Sequence, residues 1–194
     1  VQINCGVAYL ENLDDYDIIM KSPGISLKGI DTSKIKEKIK SQLELLLENF
    51  NVYTIGITGT KGKSTTSSLI YEILKAQNKE VLLMGNIGVP AFDCLEQIKE
   101  NMYLVLEMSS HQLEFMDYSP NISIILNVYE EHLDHYNSFD AYIDAKCNIY
   151  SHQKKGDYYI YNLDISKIIE KNAKFNTEAT KYGVTLNGST EEEN

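Results

Sequence analysis

Long apolar runs are missing from this chain. No stretch is unbroken enough to span a bilayer, and no basic segment followed by an apolar core marks a leader peptide. A membrane is therefore not an expected partner, and a cytoplasmic protein is expected. Cysteine is scarce: Cys5, Cys94 and Cys147 are odd in number, far apart and in no metal-ligand spacing. That pattern reads as buried free thiols in a reducing compartment, not as a disulfide framework or a thiolate metal site. Basic residues are outnumbered, 18 against 28 acidic, and the net charge of −10 argues against nucleic acid or an anionic membrane surface as a general partner. Any anion site has to be local.

What is present suits a folded core. The 194 residues are 43% hydrophobic, enough for one domain or for one domain with part of another. The chain starts at Val1 without a methionine and finishes in "NGSTEEEN", so both ends read as cut from something longer. Residues 1–30 hold "YDIIMKSPGISLKG", a short apolar strand running into a Pro-Gly turn and too little to fold alone. Over residues 31–50 the run "DTS" and the spacing of Ile35, Ile39, Leu43, Leu46 and Phe50 predict one amphipathic connecting helix. Residues 51–187 form the main domain, and 188–194 are expected as a disordered acidic tail.

Within the main domain, strand and helix signals alternate: "VYTIGI", "EVLLMGN", "YLVLEMS", "ISIILNV", "YYIYNL" and "KYGVTL" are separated by helical patterns. The apolar runs are continuous, as in strands covered on both faces, so the fold expected is α/β with a mostly parallel sheet flanked by helices. In such sheets ligands bind beyond the carboxyl ends of the strands. The residues at those ends are the glycine loop, Asn86 in "GNIG", Glu107 in "LEMSSHQLE" and Asn127 in "LNVYEEHLDHY".

The loop "TGTKGKSTT" follows the first of these strands. Glycine lets main-chain N–H groups approach a ligand closely, and a helix opening at Lys63 would aim its N-terminus at the same point. Lys63 would add charge near the outer phosphates of a nucleoside triphosphate, and Ser64 a hydroxyl for magnesium. The match is to G-x-x-G-K-S only, because Ile57 occupies the place of the first glycine in the full phosphate-loop template. Glu107 ends an apolar strand beside this loop, where a hard oxygen ligand for magnesium is needed. His132 and His135 flank Asp134 in a stretch that equally suits a solvated turn. Lys146 shares the apolar face of its helix with Tyr142, Ala145 and Ile149, and an inward lysine needs a partner or a task.

In this order "GTKGKST", "GNIG", "EMSSHQLE", "ILNVYEEHLDHY" and "YIDAKCNIY" resemble the Mur ligases, ATP-dependent enzymes that build the peptidoglycan peptide. "MKSPGIS" and "GNIG" with "SSHQLE" look most like the branch that adds D-glutamate to a UDP-linked muramoyl substrate. The resemblance runs from about Tyr16 to Asp164. It implies ATP and Mg2+ as co-substrate and cofactor, a P-loop-type central domain, and an acyl phosphate formed on the acceptor carboxylate before the amine attacks. Carried over by motif, Gly59, Thr60, Lys61, Gly62, Lys63, Ser64 and Thr65 are expected to bind nucleotide. Ser64 and Glu107 would hold one magnesium, with His132 and a carbamylated Lys146 holding a second. Lys63, Glu107, His132 and Lys146 are the catalytic set, and Gly24, Asn86, Ser109 and Gln112 would line the muramoyl site.

The resemblance also makes residues 1–30 the end of a uridine-binding domain and 51–187 an incomplete ATP-binding domain. A monomer, inactive alone, is expected. His111 stands where the D-glutamate branch carries an aromatic residue, so the sister ligase that adds the third amino acid stays open, as does a non-catalytic nucleotide-binding module. A kinase would need a base beside an acceptor hydroxyl, for which the sequence offers no candidate.

Overall fold

The computed structural model describes residues 6–88, 90–185 and 191–193. In chain order its elements are β1 (Ile19–Met20), β2 (Ile39–Lys40), α1 (Gln42–Asn49), β3 (Tyr53–Thr58), α2 (Lys63–Ala76) and β4 (Val81–Gly85). There follow β5 (Tyr103–Glu107), α3 (Ser110–Leu113), β6 (Ile122–Ile125), α4 (Phe139–Ser151), β7 (Tyr158–Asn162), α5 (Ser166–Ile169), β8 (Thr180–Val184) and β9 (Glu191–Glu193). Short 3-10 segments, among them Lys36–Lys38 and Ala91–Gln97, fill some connections.

Seven strands form one sheet in the order β4-β5-β3-β6-β7-β8-β9, and all neighbours pair in parallel except β8 with β9. All six expected strands are there. Their apolar runs fit burial on both faces: Leu104, Val105 and Leu106 of β5 are completely buried, each side chain contributing about 1.5–3 kcal/mol. On one face Ile70, Tyr71 and Leu74 of α2 pack over Ile55, Ile57 and Val105. On the other, Tyr142, Ala145 and Ile149 of α4 join Met108, Leu113, Tyr159 and Tyr161 in the main core.

The single helix expected over residues 31–50 is corrected. Ile35 and Ile39 belong to a small separate cluster with Leu27, beside the two-stranded sheet of β1 and β2. Helix begins only at Gln42, where the Ser41 hydroxyl accepts from Glu44 N at 3.0 Å. The periodicity was shared between two elements packed against two different cores. Glu191–Glu193, expected in a disordered tail, pair antiparallel with Lys181–Gly183 on the otherwise open edge of β8. Residues 188–190 and 194 of that tail lie outside the described residues. Cys94 and Cys147 are free and buried, and Cys5 lies outside the described residues. Among the described residues no helix is long and apolar enough to cross a membrane.

Strand β3 lies between β5 and β6: the chain passes from β3 to β4 and β5 on one side and then crosses to β6 on the other. That arrangement opens a crevice at the carboxyl ends of β3, β5 and β6.

Candidate functional site

Register places the site residues in a row. Gly85 pairs with Glu107, Glu107 with Ile57, and Ile57 with Ile124, so the residues that follow these four positions emerge along one edge. The glycine loop leaves β3 there. Gly62 caps α2 with a φ of 84°, a left-handed conformation open to glycine at little cost. Thr66 N donates to Gly62 O at 3.0 Å, so the N–H groups of Lys63, Ser64 and Thr65 belong to the first turn and have no partner within the helix. Ser64 and Thr65 are exposed.

Asn127, at the end of the β6 segment, clamps the loop. Its Oδ1 accepts from Lys61 N at 2.8 Å, its Nδ2 donates to Lys61 O at 3.0 Å, and its carbonyl accepts from Thr60 N at 3.0 Å. Thr60, expected among the nucleotide ligands, is instead buried and committed to the protein: its hydroxyl accepts from Tyr129 N at 2.9 Å and lies 3.1 Å from the Tyr142 hydroxyl. The Lys61 side chain reaches Glu131 at 3.2 Å. Lys63 Nζ donates to Gly59 O at 2.9 Å and Thr60 O at 3.1 Å, folded over its own loop.

Lys146 comes to the same carbonyl from below. Its Nζ donates to Gly59 O at 3.0 Å and lies 4.7 Å above the Tyr142 ring, with the residue only 2% exposed. Burial, and next the charge of Lys63, pull its pKa down to about 7. An ammonium there is costly, and a neutral amine is within reach at neutral pH.

Glu107 is 1% exposed. Its Oε1 accepts from Asn86 Nδ2 at 2.9 Å, and its carbonyl accepts from Asn86 N at 2.9 Å. Its Oε2 is buried without a hydrogen-bond partner. A carboxylate oxygen left in that state fits a hard cation or its water.

His132, expected to hold a second magnesium with Lys146, stands in a row of three imidazoles. It has a φ of 59°, and its ring meets His111 at 4.8 Å between centroids, which in turn meets His135 at 4.3 Å. Burial and then the two neighbouring imidazoles hold His111 down at a pKa of about 4. Among the described residues no three His, Cys, Asp or Glu side chains group as metal ligands.

Ser109 and Gln112 form a capping box at α3: Ser109 N donates to Gln112 Oε1 at 3.0 Å, and Gln112 N to Ser109 Oγ at 3.3 Å. Gln112 and Asn86, with Ser22 and Pro23, line a cleft of about 460 Å³ between the N-terminal segment and the sheet. Gly24 and Ser109 are not among its walls. Lys21 is, and the sequence reading passed it over; the one available signal was a lysine set between an apolar strand and a Pro-Gly turn. Asn127 and Tyr142 drew notice only as a strand end and an apolar-face residue, because their roles depend on which strands and helices become neighbours.

Residues 57–193 match the Mur ligase middle domain. The chain is 40% identical over 167 residues to a UDP-N-acetylmuramoylalanine--D-glutamate ligase of Clostridium botulinum, covering 84% of this chain and 36% of the relative. To the enzyme of the same name from a Geobacillus species it is 35% identical over 190 residues, covering 95% of this chain and 42% of the relative. The chain thus spans less than half the length of these relatives. A MurF ligase from Thermotoga maritima, solved in complex with ADP, superposes with a TM-score of 0.56 at 18% identity over 92% of this chain and 52% of the other, which is a likeness of fold.

Proposed function

The chain belongs to the Mur ligase family, and from that premise we propose that it is the nucleotide-binding part of a ligase that joins D-glutamate to UDP-N-acetylmuramoylalanine at the expense of ATP. The names of the relatives at 35% and 40% identity support that choice of substrates. The observation that carries the reading is the convergence on one sheet edge of a glycine-opened helix start, Lys63 and a buried Glu107 oxygen with no hydrogen-bond partner. Residues 1–30 would be the end of a uridine-binding domain, 31–50 the connection and 51–187 an ATP-binding domain continued elsewhere in the parent.

In this reading the first-turn N–H groups and Lys63 hold the phosphates of ATP, and Lys63 leaves the Gly59 and Thr60 carbonyls to do so. Ser64 and Glu107 would hold magnesium, with His132 and Lys146 serving a second ion. The metal, when bound, neutralises phosphate charge. The acceptor carboxylate attacks the γ-phosphorus and ADP leaves with the bridging oxygen; the amine of D-glutamate then displaces phosphate from the acyl carbon. Positioning and charge neutralisation supply most of the rate in such a transfer. Lys146 is suited to carbamylation because burial favours its neutral amine, the form that adds to carbon dioxide.

The test is a calorimetric titration of the chain with a non-hydrolysable ATP analogue and magnesium, beside Lys63→Ala. Saturable binding lost in the variant is expected. Equal binding by both proteins would remove Lys63, and with it this loop, from the nucleotide site.

A further inference from the structure

His132 differs from its neighbours in its backbone. Among the described residues only four that are not glycine have a positive φ: three are asparagines, Asn12, Asn78 and Asn101, and the fourth is His132 at 59°. In this region the Cβ of an L-residue is crowded by a carbonyl oxygen, so the surroundings have to hold the residue there.

What holds it is a short closed turn over residues 132–136. The His132 carbonyl accepts from His135 N and from Tyr136 N, each at 3.0 Å, so the chain doubles back on itself. On the inner side the turn is fixed at His135, whose Nε2 lies 3.0 Å from Glu114 Oε2 and whose ring meets His111 at 4.3 Å. On the outer side one ammonium spans it. Lys28 Nζ donates to Leu133 O at 3.0 Å and to Tyr136 O at 3.2 Å, from a place 105 and 108 residues earlier in the chain. Lys28 itself is exposed and belongs to the N-terminal segment, between the Pro-Gly turn and β2.

The first of the two acceptors belongs to the residue directly after His132. A return of His132 to right-handed backbone would therefore swing Leu133 O away from Lys28, whereas the Glu114 contact acts three residues further on and leaves this end of the turn to the lysine. The consequence for the side chain is direct. As it stands, the His132 ring lies 6.0 Å from the Tyr142 ring, and that same ring lies 4.7 Å from Lys146 Nζ. Reversal of φ would carry the Cβ, and the imidazole with it, to another side of the turn.

We infer that Lys28 is a positioning residue: its ammonium staples residues 132–136 and so aims the His132 imidazole toward Tyr142 and Lys146, which makes the seating of the N-terminal segment and the aim of His132 one event. The use of that imidazole as a magnesium ligand rests on the ligase reading above; its positioning by Lys28 does not.

NMR of the 13C,15N-labelled chain reads the His132 backbone through its three-bond HN–Hα coupling and its 13Cα shift, which differ between left-handed and right-handed conformations. The unmodified chain is expected to show the left-handed values. Lys28→Met should lower the ratio of left-handed to right-handed backbone about tenfold, the worth of two such contacts, and move both values accordingly. Lys28→Arg, whose guanidinium can donate to both carbonyls, should restore them. Values unchanged in Lys28→Met, or moved equally in Lys28→Arg, would overturn the proposal, because a lysine that only anchored the N-terminal segment would leave His132 as it is. Mn2+, added with a non-hydrolysable ATP analogue and bicarbonate, should then broaden the His132 ring signals, with a midpoint about two- to tenfold higher in Lys28→Met than in the unmodified chain. Equal midpoints would overturn the aim. Broadening absent from the unmodified chain while its backbone values hold would remove His132 from the metal site and count against the ligase reading, not against Lys28.

Discussion

The connections at the carboxyl ends of β3 and β4 each carry a glycine of positive φ at the same edge of the sheet, Gly62 and Gly85, and the two differ in what surrounds that glycine. At Gly62 a Cβ would meet nothing closer than Leu126 Cδ1 at 3.5 Å, so only its φ of 84° asks for glycine. At Gly85, with a φ of 111°, a Cβ would overlap the carbonyl oxygen of Glu107. The first turn leaves open space beside N–H groups and a lysine, as a ligand needs. The second is filled by protein, and its product is a fixed Glu107, held through both the main chain and side chain of Asn86. Two similar glycine signals thus serve opposite ends: one clears room for a guest, and the other brings two strands close enough to aim a carboxylate.

The largest effect expected from this contrast is at the filled turn. Gly85→Ala should lower the unfolding free energy by more than about 3 kcal/mol in urea denaturation, because strained φ and a backbone collision add. A loss no greater than that of Gly62→Ala would break the comparison. Next comes the open turn read by ligand instead of stability. Lys63→Ala should cost about 100-fold in affinity for an ATP analogue, some 3 kcal/mol, while its unfolding free energy stays within about 1 kcal/mol of the parent. A variant that bound normally but unfolded early would make the lysine a loop brace, not a phosphate ligand.

Gly62→Ala should cost only about 1–2 kcal/mol, the strain of an alanine in left-handed backbone, with helix α2 retained by circular dichroism. The smallest effect concerns Cys94, in the 3-10 segment that follows the filled turn. It is fully buried, its Sγ donates to Ala91 O at 3.1 Å, and burial pushes its pKa above the ordinary 9.0. The folded protein therefore holds this proton where the unfolded chain releases it. Its contribution is complete below pH 9 and declines as pH rises through the higher folded value. Unfolding free energies measured from pH 8 to pH 10 should fall less steeply in Cys94→Ala than in the parent, and identical slopes would refute this.

Much of the fold was legible because burial on both faces of a parallel sheet demands continuous apolar runs, and all six expected strands are written that way. The 31–50 segment was misread for a related reason. A 3.6-residue period records burial without saying against what, and here Ile35 and Ile39 face one cluster while Leu43 and Leu46 face another. For the site, residue type and chain order sufficed to single out Lys63, Ser64, Glu107 and Lys146 as candidates, since each ends or follows an apolar element where a polar group calls for explanation.

By itself, then, the sequence determined the alternation of strands and helices, the polar character of their carboxyl ends and the burial of Lys146, all of which follow from local periodicity. Only the tertiary structure decided that β3 lies between β5 and β6, that Asn127 clamps the glycine loop, that Thr60 turns inward to Tyr129 and Tyr142, and that Lys21 is buried against Glu114. The physical reason is that hydrogen bonds and ion pairs are short-ranged, so they depend on which distant segments become neighbours. Local pattern fixes the elements, and the contacts that give a side chain its chemistry exist only once those elements have packed.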